Sequence, residues 1–132
     1  MTLRLAILGT GGMAANHART FAAMDGVEVV AGIDPRPEVL AAFQAVHGIG
    51  RGFASLEAAL DWGGFDAVTN VTPDAAHFAT TMPCLAAGKH VLCEKPLATK
   101  AADAQAMADA AVAAVAGAWV KGCAGRCGHP YP

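Results

Sequence analysis

The residue types that could hold or transform a ligand fall at a few places along this sequence. They are a glycine cluster at Gly9, Gly11 and Gly12, an acid at Asp34, a Thr72-Pro73-Asp74 turn with His77 beyond it, and a Glu94-Lys95-Pro96 run. Gly9, Gly11 and Ala14 fit the spacing G-x-G-x-x-G/A. In that pattern the first glycine permits a sharp turn, the second lets a pyrophosphate reach the backbone, and a small third residue lets helix pack on strand. Thr10 and Met13 complete the loop, and the phosphate would sit at a helix N-terminus, where free N–H groups and the helix dipole favour anions. Glycines also cluster in turns that bind nothing, so context decides. The apolar run Val27–Ile33 ends in Asp34, about 20 residues beyond Ala14, where this pattern places the acid that bonds a cofactor ribose. Asp34-Pro35 read alone is only a helix-start signal; its position at a strand end makes the dinucleotide reading the stronger one. Arg36 either meets a 2′-phosphate, which would admit NADP, or is a solvated arginine, and Asp34 tilts the choice toward NAD.

These residues need elements to position them, and the apolar pattern supplies alternating strands and helices. Leu3–Leu8 is a first strand, followed by a helix from about Met13 to Met24. Asn16 and His17 lie in its first turns; His17 is placed to touch a ligand, but an exposed helical histidine without a role is the commoner case. A strand over Val27–Ile33 and a helix over Pro37–His47 come next, with Gly48, Gly50 and Gly52 marking a loop and Phe53-Ala54 the remnant of a third strand. Ser55 caps a helix from Leu56 to Trp62, with Glu57 well placed against its dipole. Asp66–Val71 is a fourth strand, Ala75–Ala87 a helix closed by Gly88, His90–Cys93 a fifth strand, and an alanine-rich helix runs from about Thr99 to Ala116. The alternation predicts an α/β, Rossmann-type doubly wound parallel sheet of order 3-2-1-4-5, with Gly9, Asp34, Thr72 and Lys95 at the carboxyl ends of strands.

Composition narrows the class. The 132 residues suit one domain, and with 55% hydrophobic and 15% charged residues they can bury a sheet on both faces. A formal net charge of −2 gives no electrostatic reason to expect nucleic acid as a partner. No apolar run approaches the roughly 18–20 residues of a membrane span, and the start lacks a signal-peptide layout, so a cytoplasmic location is expected. Cys84 and Cys93 fall inside elements and read as small core residues. Cys123, Cys127 and His129 miss the haem-attachment spacing and are too few for a structural zinc site, so no metal is expected.

Three segments together resemble the N-terminal domain of the Gfo/Idh/MocA oxidoreductases, the glucose-fructose oxidoreductase and inositol dehydrogenase group. Gly9-Thr10-Gly11-Gly12-Met13-Ala14 resembles the cofactor loop, Thr72-Pro73-Asp74-Ala75-Ala76-His77 the T-P-x-x-x-H segment, and Ala87 to Pro96 the A-G-K-H-V-x-x-E-K-P block. The resemblance implies that Asp34 holds the adenosine ribose, that Thr72 and Pro73 line the passage to the nicotinamide, and that Lys95 contacts the nicotinamide side and a hydroxyl of a sugar or polyol substrate. It brings His77, otherwise a bystander on a helix surface, and Glu94, otherwise a partner for a nearby cation, into the cofactor site. Pro96 is a rigid turn to which a cis bond is open. A methyltransferase using S-adenosylmethionine shares the glycine loop and second-strand acid but leaves Glu94-Lys95-Pro96 unexplained.

The resemblance ends near residue 116. The family continues into a second α/β domain that shapes the substrate pocket, whereas residues 117–132 read as an irregular tail, of which only Ala118-Trp119-Val120 could begin a sixth strand. The expectation is a truncated or frame-shifted cofactor-binding domain, 1–116, whose sheet is incomplete at its C-terminal edge and which self-associates through that edge. Two functions stay open: an oxidoreductase by descent, or a dinucleotide-binding module without turnover.

Overall fold

The structure is a computed structural model; it describes residues 1–114 and the backbone of 118–120. Strand β1 (Leu3–Leu8) leads to α1 (Gly12–Ala22), β2 (Val27–Ile33) to α2 (Pro37–His47), and β3 (Arg51–Phe53) to α3 (Leu56–Trp62). Strand β4 (Ala67–Asn70) turns through a short 3-10 segment, Asp74–Ala76, into α4 (His77–Ala86). Then follow β5 (His90–Cys93), α5 (Ala101–Ala113) and β6 (Ala118–Val120). The strands form one parallel sheet of order β3-β2-β1-β4-β5-β6, the doubly wound arrangement expected from the alternation.

Burial explains why the strands read as unbroken apolar runs. Leu5, Ala6, Ile7 and Leu8 are all buried because helices cover both faces of the sheet. Alternation then sends Ile7 into a cluster with Ala14, Ala18, Phe43 and Ile49, and Ala6 and Leu8 into a larger one with Phe65, Val68, Leu85 and Val91. Ser55 caps α3 as expected, its hydroxyl accepting from the Ala58 N–H at 3.2 Å.

The third strand is Arg51–Phe53 rather than Phe53-Ala54. Its glycine hid it: Gly52 pairs with Gly32 of β2, and a side chain there would collide with Gln44. At the other edge Ala118–Val120, placed in the tail by the sequence reading, pair with Val91–Cys93 as a short sixth strand. The open edge of β5 supplies the backbone partners that make these residues a strand. Residues 121–132, with Cys123, Cys127 and His129, lie outside the described residues. No helix among the described residues is long and apolar enough to cross a membrane.

Candidate functional site

Strand order reverses at β1, whose neighbours β2 and β4 run on into helices, and the carboxyl ends of these strands open a cleft of about 840 Å³. Open α/β sheets bind ligands at such a reversal. Gly9, Gly11, Gly12 and Met13 form one wall, Asp34, Pro35 and Arg36 a second, and Thr72 and Pro73 a third.

Gly9 holds a φ of +87°, and a side chain there would put its Cβ 2.7 Å from the Val71 carbonyl oxygen. Its N–H also donates to the Ile33 carbonyl at 2.8 Å, so the loop is pinned between the ends of β2 and β4. Gly11 differs: a Cβ there meets nothing within 4 Å, because the residue faces the open cleft. Gly11 precedes α1, whose first turn has no acidic residue and no side-chain cap. The first N–H groups of α1 are therefore left for an anion.

Asp34 is buried, and its side chain is already engaged. Oδ2 accepts from the Thr10 N–H and hydroxyl, both at 3.0 Å, and from Arg36 Nη2 at 2.8 Å; Oδ1 accepts from the Arg36 N–H and Nε, both at 2.9 Å. The Arg36 guanidinium holds this carboxyl well below the usual carboxylate range against the opposing effect of burial. Thr10 is thus a buried tie behind the cleft wall. Arg36 is neither free in solvent nor turned away, but paired with Asp34 while its side chain stays 59% exposed.

Thr72 is set by a residue that the sequence reading missed. Asn70 is fully buried at the end of β4; its Oδ1 accepts from the Thr72 N–H at 3.2 Å and hydroxyl at 2.7 Å, and its Nδ2 donates to the hydroxyls of Thr80 and Thr81. An amide at the end of a strand buried on both faces was the available signal. The N-terminus of α3, with Ser55 and Glu57, and Thr80 and Pro83 of α4 also line the cleft. The rule that ligands bind at strand carboxyl ends, applied to β3 as well, points to the first of these.

Both helical histidines depart from the sequence expectation. His17 is buried, with Nδ1 2.6 Å from the Thr69 hydroxyl and Nε2 2.5 Å from Glu94 Oε1. The face of α1 that carries it packs on the sheet, which the pattern of small alanines around it did not reveal. His77 is no surface bystander; the 3-10 turn before α4 leaves it fully buried, Nδ1 2.6 Å from the Pro96 carbonyl oxygen and Nε2 3.0 Å from that of Thr72. Glu94 is engaged by His17, and the Lys95-Pro96 peptide is cis. Lys95 is exposed, and among the described residues it makes no hydrogen bond or ion pair. His77, Glu94 and Lys95 stand beyond the walls of the 840 Å³ cleft. Cys84 and Cys93 are core residues as expected, and burial pushes their thiols up to about 12 and about 11.

The donor set fits a dinucleotide. An open glycine backbone at an uncapped helix start suits a pyrophosphate, and a buried carboxylate at the end of the next strand suits a ribose diol.

The sequence model described as "Oxidoreductase family, NAD-binding Rossmann fold" matches residues 3–121. An inositol 2-dehydrogenase of Leifsonia xyli subsp. xyli is 42% identical over 103 residues, which are 77% of this chain and 30% of that protein. A 4-carboxy-2-hydroxymuconate-6-semialdehyde dehydrogenase of Sphingobium sp. is 36% identical over 105 residues, 80% of this chain and 33% of that protein. Among solved structures, the WlbA dehydrogenase from Bordetella pertussis, in complex with NADH and UDP-GlcNAcA, superposes with a TM-score of 0.87 at 34% identity, covering 91% of this chain and 37% of that one. The chain spans about a third of the length of these relatives. With a family model covering most of its length, and the glycine loop and strand-end acid in the places that such a domain requires, the chain belongs to the Gfo/Idh/MocA oxidoreductase family and has its NAD-binding Rossmann fold.

Proposed function

We propose that this chain is the cofactor-binding part of an oxidoreductase that moves hydride between NAD and a carbon bearing a hydroxyl or carbonyl in a sugar- or cyclitol-like substrate. The observation that carries this reading is the continuous cleft from the open Gly11 backbone to buried Asp34 on one side and Thr72-Pro73 on the other. The relatives support the substrate class: one is an inositol 2-dehydrogenase, and another was crystallised with NADH and UDP-GlcNAcA.

Gly11, Gly12 and Met13 hold the pyrophosphate through backbone N–H groups. Asp34 takes the adenosine ribose hydroxyls once Arg36, whose side chain is more than half exposed, swings off its carboxylate. The same freed guanidinium would meet a 2′-phosphate, so NADP is accepted less well rather than excluded. Thr72 and Pro73 wall the path toward the nicotinamide, which carries the hydride. Lys95, an exposed ammonium beyond the end of β5, orients the substrate hydroxyl and stabilises negative charge on its oxygen.

The second reading, a module that binds cofactor without turnover, is favoured by one observation: Lys95 stands outside the walls of the cleft. Calorimetric titration with NADH and NADPH, beside a turnover assay on inositols, aldoses and nucleotide sugars, tests both. Saturable NADH binding, tighter than NADPH and weakened by Asp34→Ala, is expected. No binding at millimolar NADH refutes the cofactor site, and binding without turnover selects the module.

A further inference from the structure

We infer that His17 and His77 are positioning residues that brace the Lys95 segment from inside the fold and so set the nicotinamide end of the site. The inference rests on the dinucleotide reading above.

Lys95 is flanked by two residues that buried imidazoles hold. On one side, Glu94 Oε1 lies 2.5 Å from His17 Nε2, with the two side chains 13% and 2% exposed. A carboxylate can only accept, so Nε2 carries the proton. Nδ1 then rests on the Thr69 hydroxyl at 2.6 Å, and that hydroxyl serves it by donating or accepting, whichever the ring requires. The first helix, the central strand β4 and the segment after β5 are thereby joined through one ring. On the other side, the two ring nitrogens of His77 lie 2.6 Å from the Pro96 carbonyl oxygen and 3.0 Å from that of Thr72; carbonyls only accept, so a ring with one N–H bonds one of them and packs against the other, and bonds both only when both nitrogens carry protons. In either form this second ring stands between the segment after β5 and the one after β4.

Neither ring lines the cleft, so neither is placed to touch a cofactor there. What they fix is Glu94 and Pro96, and between these the backbone has little freedom to carry Lys95 elsewhere. The Glu94 N–H, donating to the Asn70 carbonyl at 3.0 Å, sets where the segment leaves the sheet. The glycine loop and Asp34 do not depend on either ring for a hydrogen bond. Loss of the brace should therefore be felt at the nicotinamide end and not at the adenosine end.

ADP and NADH separate the two ends, since ADP carries the adenosine and pyrophosphate without the nicotinamide. In calorimetric titrations of the whole chain, His17→Leu and His77→Leu each weaken NADH about tenfold and leave ADP within about twofold of the unchanged chain. His17→Gln, whose amide can still donate to Glu94, restores NADH to within about threefold. Circular dichroism checks that each variant folds. If His17→Leu does not, Glu94→Ala breaks the same bond and must give the same split; His77→Phe, which fills the space of the ring but has no donor, stands in for His77→Leu. NADH affinity unchanged in the leucine variants, or NADH and ADP weakened together, overturns the inference. An unsubstituted chain that binds ADP and NADH equally also overturns it, whereas one that binds neither refutes the dinucleotide reading itself.

Discussion

Gly9 and Gly11 stand two residues apart in one loop, yet the structure assigns them opposite duties, and replacing each by alanine separates these. At Gly9 the backbone has a φ of +87°, and the new Cβ would stand 2.7 Å from the Val71 carbonyl oxygen and 2.9 Å from its carbon. The left-handed conformation costs an L-residue about 1–2 kcal/mol. Pushing the end of β4 away adds an overpacking cost of about 1–3 kcal/mol, because the obstacle is backbone and not a flexible side chain. Gly9→Ala is thus expected to lose about 2–5 kcal/mol, a large share of the roughly 5–15 kcal/mol that holds a domain folded. At Gly11 a Cβ meets nothing within 4 Å, and the only folding cost is that of alanine at a helix N-cap, about 1 kcal/mol or less. That Cβ occupies the space through which a pyrophosphate approaches, so NADH affinity should fall at least about tenfold. Urea unfolding followed by circular dichroism measures the first effect, and calorimetric NADH titration the second. The reasoning is refuted if Gly9→Ala unfolds at the urea concentration of the unsubstituted chain, or if Gly11→Ala binds NADH unchanged.

Acid should destabilise the fold in a defined window. Asp66, hydrogen-bonded by Arg4, is held down to about 2 from an ordinary 3.8, and Asp34 is held lower by Arg36. Their folded-state values are depressed, so their stabilisation is complete above the unfolded value and is lost as pH falls through the folded one. Urea midpoints should decline from pH 4 toward pH 2, and Asp66→Asn should flatten part of that decline; an unchanged slope would contradict the pairing. Lys89 Nζ donates to the carbonyls of Gly63 and Phe65 at 3.2 and 2.7 Å, far from the cleft. Lys89→Met should cost about 1–3 kcal/mol in urea unfolding while NADH affinity holds. Cys84 and Cys93, raised to about 12 and about 11 by burial, should resist iodoacetamide at pH 8 in the folded chain and react in urea; peptide mapping of the label reads both.

Much of this fold is legible because its signals are local. Val27–Ile33, Pro37–His47, Leu56–Trp62 and His90–Cys93 appear in the structure with the bounds that periodicity, Pro37, Ser55 and Gly88 had marked. Local signals fail where the partner decides. Arg51–Phe53 is a strand through its pairing with β2, despite a glycine at its centre, and Ala118–Val120 is one through its pairing with β5. In the site, Gly9, Gly11 and Asp34 are legible because a turn, a helix start and a strand end are short-range features with strict residue requirements.

His17, Thr69, Asn70 and Glu94 could not be read in that way. Each has at least one partner 10 or more positions away, and polar residues on helices and strand ends look alike in sequence whether they face solvent or one another. Backbone and strand-end chemistry, carried by glycine, proline and one well-placed acid, was determined by the sequence itself. Which polar side chains are buried, and what they hold, was decided only by tertiary packing, because a buried imidazole or amide is stable solely where the chain returns from far away to supply its hydrogen-bond partner.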